Sequence, residues 1–115
     1  MGSVVYLWAP WCMECRAMSP YLDAVAAEFA DSVAVEKIDV AASPDVAARL
    51  EVMATPTIIG RTPEKELFRV TGRRTPTELR EMFAAVAAGS SVPRKRRRTQ
   101  PVRPTLVARM EAQPV

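Results

Sequence analysis

Both cysteines of this 115-residue chain lie in one short segment, WAPWCMEC, with two residues between Cys12 and Cys15. Such a pair serves as a structural disulfide, as half of a metal site, or as a thiol couple that exchanges with other disulfides. A structural disulfide would close a very small loop and is unusual in a reducing compartment. The chain has no histidine, so a metal would need the cysteines of two chains, and catalytic Cys–His or Ser–His–Asp groups are excluded. The sequence therefore favours a working thiol couple.

The elements around this pair predict how its two thiols differ. The apolar run Val4–Trp8 is typical of a buried strand, and apolar residues then recur every three or four positions from Cys12 to Phe29. Cys12 therefore begins a helix, whose unpaired N–H groups stabilise a thiolate. Cys15 lies one turn further and is expected to be more buried. Cys12 is thus the predicted attacking thiol and Cys15 the resolving thiol.

The rest of the pattern predicts a small α/β domain in residues 1–89 with the element order βαβαββα. Strands are expected at 4–8, 33–40, 55–60 and 65–72, and helices at 12–29, 44–50 and 75–88. Ser43 is predicted to cap the second helix, and Thr75 with Glu78 forms a capping box for the third. The first two strands are expected to be parallel because a helix joins them, and the last two to form a hairpin.

Three motifs in this order resemble the thioredoxin family. The segment WAPWCMECRAMSP is similar to the family's Trp-Cys-x-x-Cys site with its later proline, here Pro20. The segment ATPT resembles the family's cis-proline loop, with Pro56 lying 44 residues after Cys12. Gly72, sixteen residues further on, matches the glycine that borders the substrate groove. The resemblance implies a thioredoxin-like fold with a four-stranded mixed sheet flanked by helices.

The same resemblance implies a thiol–disulfide oxidoreductase that acts on protein disulfides and binds no cofactor. The groove would be shaped by Trp11, Met13, Thr55, Pro56 and Gly72, with the Thr55 backbone pairing to an extended substrate. Family membership also implies that a flavin-dependent disulfide reductase supplies the electrons.

Two other functions stay open from the sequence. One is a glutaredoxin-like, glutathione-dependent oxidoreductase, which fits less well because Gly72 is followed by Arg73 and Arg74 instead of a second glycine and an acid. Those two arginines would still attract an anionic thiol. The other is a non-catalytic thioredoxin-like module that binds a partner or nucleic acid through a basic tail.

The sequence departs from the family pattern in its first elements, in its buried charges, and at Met13 and Glu14, which replace the usual Gly-Pro between the cysteines. It is expected to lack the strand and helix that precede the active-site strand in full-length thioredoxins. The buried aspartate of the family falls at Tyr6, and its lysine partner falls at Val35. Because both charges are missing together, no lone buried charge is left. Attack by Cys15 would then be slower, or would depend on water or on Glu14.

The end of the chain differs from the rest in charge. Residues 90–115 carry a net charge of +6, including the block Arg94–Arg98, whereas residues 1–89 carry −3. We predict a disordered, Pro- and Arg-rich tail, for which contact with nucleic acid or an anionic surface is the alternative. With no apolar run of membrane-spanning length and no recognisable secretory signal, the expected location is the cytoplasm.

Overall fold

A computed structural model of the chain describes residues 1–89. Its elements are β1 (Gly2–Trp8), α1 (Met13–Glu28), β2 (Val33–Asp39), α2 (Pro44–Arg49), β3 (Thr57–Arg61), β4 (Glu66–Thr71) and α3 (Pro76–Ala88). The predicted order is confirmed, and the bounds agree with the sequence-based ranges to within two residues. The predicted tail, with Arg94–Arg98, lies outside the described residues.

The four strands form one mixed sheet in the order β2-β1-β3-β4. β1 runs parallel to β2 and antiparallel to β3, and β3 pairs antiparallel with β4. The parallel pair and the terminal hairpin are therefore as predicted. A parallel pair joined by a helix and a hairpin joined by a short turn are what the connection lengths require.

The sheet is covered on both faces, and β1 shows why. Val4 and Tyr6 point into a core cluster shared with α1 and α3, whereas Val5 and Leu7 point into a second cluster with Ile38 and Ile59 on the other face. Successive residues of a strand face opposite sides. The uninterrupted apolar run of β1 therefore marks it as a central strand. Side chains of α2 and of the loop after it cover the second face, namely Val46, Leu50 and Val52.

The helix ends show which capping predictions hold. Thr75 and Glu78 form the predicted capping box at the start of α3, and Gly89 ends that helix in the left-handed conformation. The prediction for Ser43 is confirmed, because it occupies the N-cap position of α2, although its side chain makes no capping hydrogen bond. Its ψ of 62° lies outside the extended range seen at Cys12 and Thr75, where the cap side chains do accept such bonds.

Candidate active site

The topology brings the predicted site residues to one edge of the sheet. Because β1 and β2 are parallel, both end at this edge, where the Val40 N–H donates to the Trp8 carbonyl at 2.9 Å. β3 runs the opposite way and begins there, with Thr57 opposite Leu7. β4 returns to the same edge, with Thr71 opposite Thr57. The loop after β1, the loop before β3 and the loop after β4 therefore share this edge.

The first of these loops carries the cysteine pair. Cys12 is the N-cap of α1, and its sulfur accepts the Cys15 backbone N–H at 3.2 Å. Cys12 and Cys15 are joined as a disulfide, with their Cα atoms 5.2 Å apart. Cys15 is 1% exposed and Cys12 is 9% exposed, so the difference in burial follows the prediction. The first turn of α1 thus directs a backbone N–H, which has no carbonyl partner within the helix, at the more accessible of the two sulfurs.

Tyr6, where the family has an aspartate, forms a hydrogen-bonded triangle behind Cys15. Its hydroxyl oxygen lies 2.9 Å from Ser19 Oγ and 3.2 Å from the Cys15 carbonyl oxygen, and Ser19 Oγ lies 2.8 Å from that same oxygen. The two hydroxyl protons fill two of these three contacts at a time. Burial raises the pKa of Tyr6 above its ordinary value, and the hydrogen bond with Ser19 only partly opposes that rise. The phenol therefore stays protonated at neutral pH. As a hydrogen-bond donor, the phenol helps to hold the Cys15 carbonyl in place, and it does not act as the base that accepts the proton of the Cys15 thiol.

No charge is buried in place of the missing pair. Val35, at the family's lysine position, is partly buried and packs against the core. Within residues 1–89, Thr57 is the only buried polar or charged residue apart from tyrosine and cysteine. The nearby charges Lys37 and Asp23 form an ion pair at the surface instead.

Removing the Tyr6 hydroxyl tests its structural role. We expect Tyr6→Phe to lower the free energy of unfolding by about 0.5–1.5 kcal/mol, the usual value of one buried hydrogen bond. Urea unfolding followed by circular dichroism measures it. Tyr21→Phe is the matched control, because that ring is 48% exposed and its hydroxyl has no hydrogen bond within residues 1–89. Equal, near-zero changes in the two variants would contradict the assignment.

A shallow cleft beside the pair holds two of the predicted groove residues. Trp11 and Thr55 line it together with Val40, Val52, Met53 and Ala54, and its volume is about 290 Å³. Trp11 is 70% exposed and Met13 is 72% exposed, so the residues that flank Cys12 present apolar surface to solvent. The lining is mostly apolar, which suits an uncharged extended segment.

Pro56 and Gly72 continue the same edge. The Thr55–Pro56 peptide bond is cis, and Pro56 is buried. The Gly72 N–H donates to the Pro56 carbonyl at 2.9 Å, which ties the loop after β4 to the loop before β3. Gly72 has a φ of +102°, a value that favours glycine. Six of the seven predicted site residues are thus linked in two contact groups, Cys12 with Cys15 and Thr55–Pro56 with Trp11 and Gly72. The seventh, Met13, flanks Cys12.

Two contributors were missed from the sequence. Met53 is 95% exposed and lines the cleft with Trp11 and Thr55, and Ser19 donates a hydrogen bond to the Cys15 carbonyl. The spacing of Ser19, four residues after Cys15 on one helix, was a usable signal because such pairs face each other. The exposure of Met53 had no sequence signal, since apolar residues in short loops are as often buried.

The side chains and helices of the described residues also bear on metal binding and on membrane insertion. Among residues 1–89, no three His, Cys, Asp or Glu side chains lie close enough to hold a metal ion. No helix within that same range is long and apolar enough to cross a bilayer.

Comparison with known proteins covers the segment that carries this site. The family model described as Thioredoxin matches residues 2–85. A thioredoxin from Staphylococcus aureus is 33% identical over 80 residues, which cover 70% of this chain and 77% of that protein. A thioredoxin from Porphyra purpurea is 41% identical over 56 residues, and the match spans 49% of this chain and about half, 52%, of that relative. The X-ray structure of Fasciola hepatica thioredoxin is 35% identical, with a TM-score of 0.66 over 72% of this chain and 78% of that one.

Proposed function

The chain belongs to the thioredoxin family of thiol–disulfide oxidoreductases, and from that premise we propose that it reduces disulfide bonds in proteins through Cys12 and Cys15. We assign the roles of the two cysteines from the difference in their solvent exposure. Cys12 is 9% exposed between two solvent-facing apolar side chains, whereas Cys15 is 1% exposed. A substrate disulfide therefore meets Cys12 first.

The reaction proceeds in two exchanges. The Cys12 thiolate attacks one sulfur of the substrate disulfide, the other substrate sulfur leaves as a thiolate, and a mixed disulfide forms. Cys15 then loses its proton to solvent and attacks Cys12 Sγ. The bond between Cys12 and the substrate breaks, the second substrate thiolate leaves, and the Cys12–Cys15 disulfide remains. Two electrons have passed from the protein to the substrate.

We assign substrate positioning to the groove along Trp11, Met13, Thr55, Pro56 and Gly72. Their shared edge and mostly apolar surface support the binding of an extended segment beside Cys12. The open backbone of the Thr55 loop offers N–H and C=O groups for pairing with that segment. Backbone pairing of this kind recognises the extended conformation of a substrate more strongly than it recognises the amino-acid sequence of that substrate.

The proposed direction of electron flow, from this protein to its substrates, indicates both a partner and a location. A protein that reduces substrates must be re-reduced, and for this family we propose a flavin-dependent disulfide reductase as the donor. We place the activity in the cytoplasm, where thiols are kept reduced. Contact of Arg94–Arg98 with nucleic acid or an anionic surface stays the alternative to a disordered tail, and these residues lie outside the described range.

Insulin reduction by dithiothreitol tests the proposal. We expect the full chain to accelerate precipitation of the insulin B chain at least about tenfold over dithiothreitol alone. The matched control is the same protein alkylated at both cysteines after reduction, which keeps the groove but has no thiol. A native rate no higher than that of the alkylated protein would contradict catalysis and favour the binding-module alternative.

A further inference from the structure

The basic residues of the described chain fall into two groups. Residues 1–89 contain nine Lys and Arg. Five of them form ion pairs with carboxylates, namely Lys37, Arg49, Arg61, Arg69 and Arg80. No ion pair within residues 1–89 includes Arg16, Lys65, Arg73 or Arg74. Because residues 1–89 carry a net charge of −3, two adjacent cations without a carboxylate partner are unusual in this part of the chain.

Arg73 and Arg74 line a cleft of their own. Its volume is about 460 Å³, and its other walls are Tyr21, Thr75 and Pro76. The Arg74 guanidinium donates to the Thr71 carbonyl at 3.3 Å, and its backbone N–H donates to Met18 Sδ at 3.3 Å, so this residue is held from both ends. Arg73 is exposed.

The acidic residue nearest in sequence is already engaged. Glu78 Oε1 accepts the Thr75 backbone N–H at 2.9 Å as part of the capping box. The phenol of Tyr21, 48% exposed, adds a hydroxyl to the lining. The cleft thus offers two guanidinium groups and a hydroxyl, the donors that a carboxylate prefers.

This arginine cleft adjoins the proposed substrate groove. Arg73 directly follows Gly72, whose N–H bonds the Pro56 carbonyl. A Cβ added at Gly72 would meet no heavy atom within 4 Å, so the surface above this backbone is open. An extended substrate that leaves Cys12 past Pro56 and Gly72 advances about 3.3 Å per residue and reaches Arg73 within a few residues.

We propose that Arg73 and Arg74 bind a carboxylate of the disulfide substrate and so favour substrates with an acidic residue a few positions from the reactive cysteine. The inference rests on the proposed function and names a substrate class for it. Two sources supply such a carboxylate: an acidic side chain of a protein, or the carboxylates of a small anionic disulfide such as glutathione disulfide. The shared chemistry is a carboxylate joined to a disulfide.

Matched peptide disulfides test this preference. Three peptides carry Glu, Gln or Lys at the same positions three and four residues from the reactive cysteine, and glutathione disulfide forms a fourth arm. At low ionic strength we expect kcat/KM for the Glu peptide to exceed that for the Gln peptide by about three- to tenfold, through KM more than kcat. The preference is expected to shrink as salt is added.

The arginine variants have a control that loses the same charge. Arg73→Gln, Arg74→Gln and the double variant are expected to bring the Glu-to-Gln ratio toward one. Lys65→Gln removes an unpaired cation near the opposite end of β4, about 20 Å away, and is expected to leave the ratio unchanged. A wild-type ratio near one, or equal ratios in the arginine and Lys65 variants, would overturn the inference.

Comparison of the peptide disulfides with glutathione disulfide distinguishes between the possible outcomes. Arginine-dependent preference for the Glu peptide alone supports an acidic protein segment, and arginine-dependent turnover of glutathione disulfide supports a small anionic disulfide. If the wild-type chain reduces the Gln peptide well but shows no charge preference, the inference fails while the proposed function stands. If it reduces none of the four substrates, both fail.

Discussion

Cys12→Ser is expected to abolish insulin reduction, lowering the rate by on the order of 10³-fold or more, to that of dithiothreitol alone. A serine hydroxyl does not exchange with a disulfide, so neither step can begin. Cys15→Ser is expected to lose turnover as well, but for a different reason. Its Cys12 thiolate still attacks, and with no second thiol in the chain the mixed disulfide accumulates. The two variants therefore share a rate and differ in the species that they form.

Mass spectrometry separates these outcomes without relying on rate. After incubation with a peptide disulfide and removal of free thiols, Cys15→Ser is expected to carry one peptide per chain, released by dithiothreitol. Cys12→Ser is expected to carry little, because Cys15 is 1% exposed. The double variant is the control for non-covalent binding. If Cys12→Ser were the variant that trapped substrate, the roles of the two cysteines would be reversed.

The sequence supported these roles because local physics dominates at the cysteine pair. A strand end, a helix start and an interval of three residues suffice to place Cys12 at an N-cap and Cys15 one turn inside. The capping box of Thr75 and Glu78 is local in the same sense, and it formed as predicted. Features that depend on fewer than about five consecutive residues could therefore be predicted from the sequence alone.

Features that join distant segments of the chain were harder to predict from the sequence. The strand order β2-β1-β3-β4 depends on which edge β3 takes, and periodicity does not encode that choice. The Tyr6–Ser19–Cys15 triangle joins a strand to a helix, so the sequence showed the loss of the family's aspartate but not what replaced its contacts. The family's spacing placed Pro56 and Gly72 along one groove, but it did not indicate the hydrogen bond that joins them.

The structure also changes how the missing aspartate is interpreted. A protonated phenol at Tyr6 leaves Cys15 without a buried base beside it. The cleft that Cys15 shares with Ser19 and Asp23, about 540 Å³ in volume, is open enough to admit water. Solvent is thus the proton acceptor that the geometry supports, whereas Glu14 is exposed on the first turn of α1.

Phe83→Ala is expected to produce the largest loss of stability. Phe83 lies on α3, is 0% exposed and packs on Phe29 at the end of α1, with ring centroids 5.8 Å apart. Truncating a buried phenylalanine costs about 3–5 kcal/mol because the cavity collapses only partly. A domain of this size has a total stability of about 5–15 kcal/mol, so the midpoint of thermal unfolding should fall by about 15–30 °C.

Calorimetry of the reduced full chain measures this loss, and Tyr21→Ala is the control, since it deletes an aromatic ring of similar size that is 48% exposed. Its midpoint is expected to move by only a few degrees. Phe83 packs at the end of α1 remote from Cys12, so the folded fraction of Phe83→Ala should reduce insulin normally well below its midpoint. Equal losses in the two variants would show that α3 is not held on α1 by this ring. Lost activity in the folded protein would show instead that the packing of α3 reaches the cysteine pair.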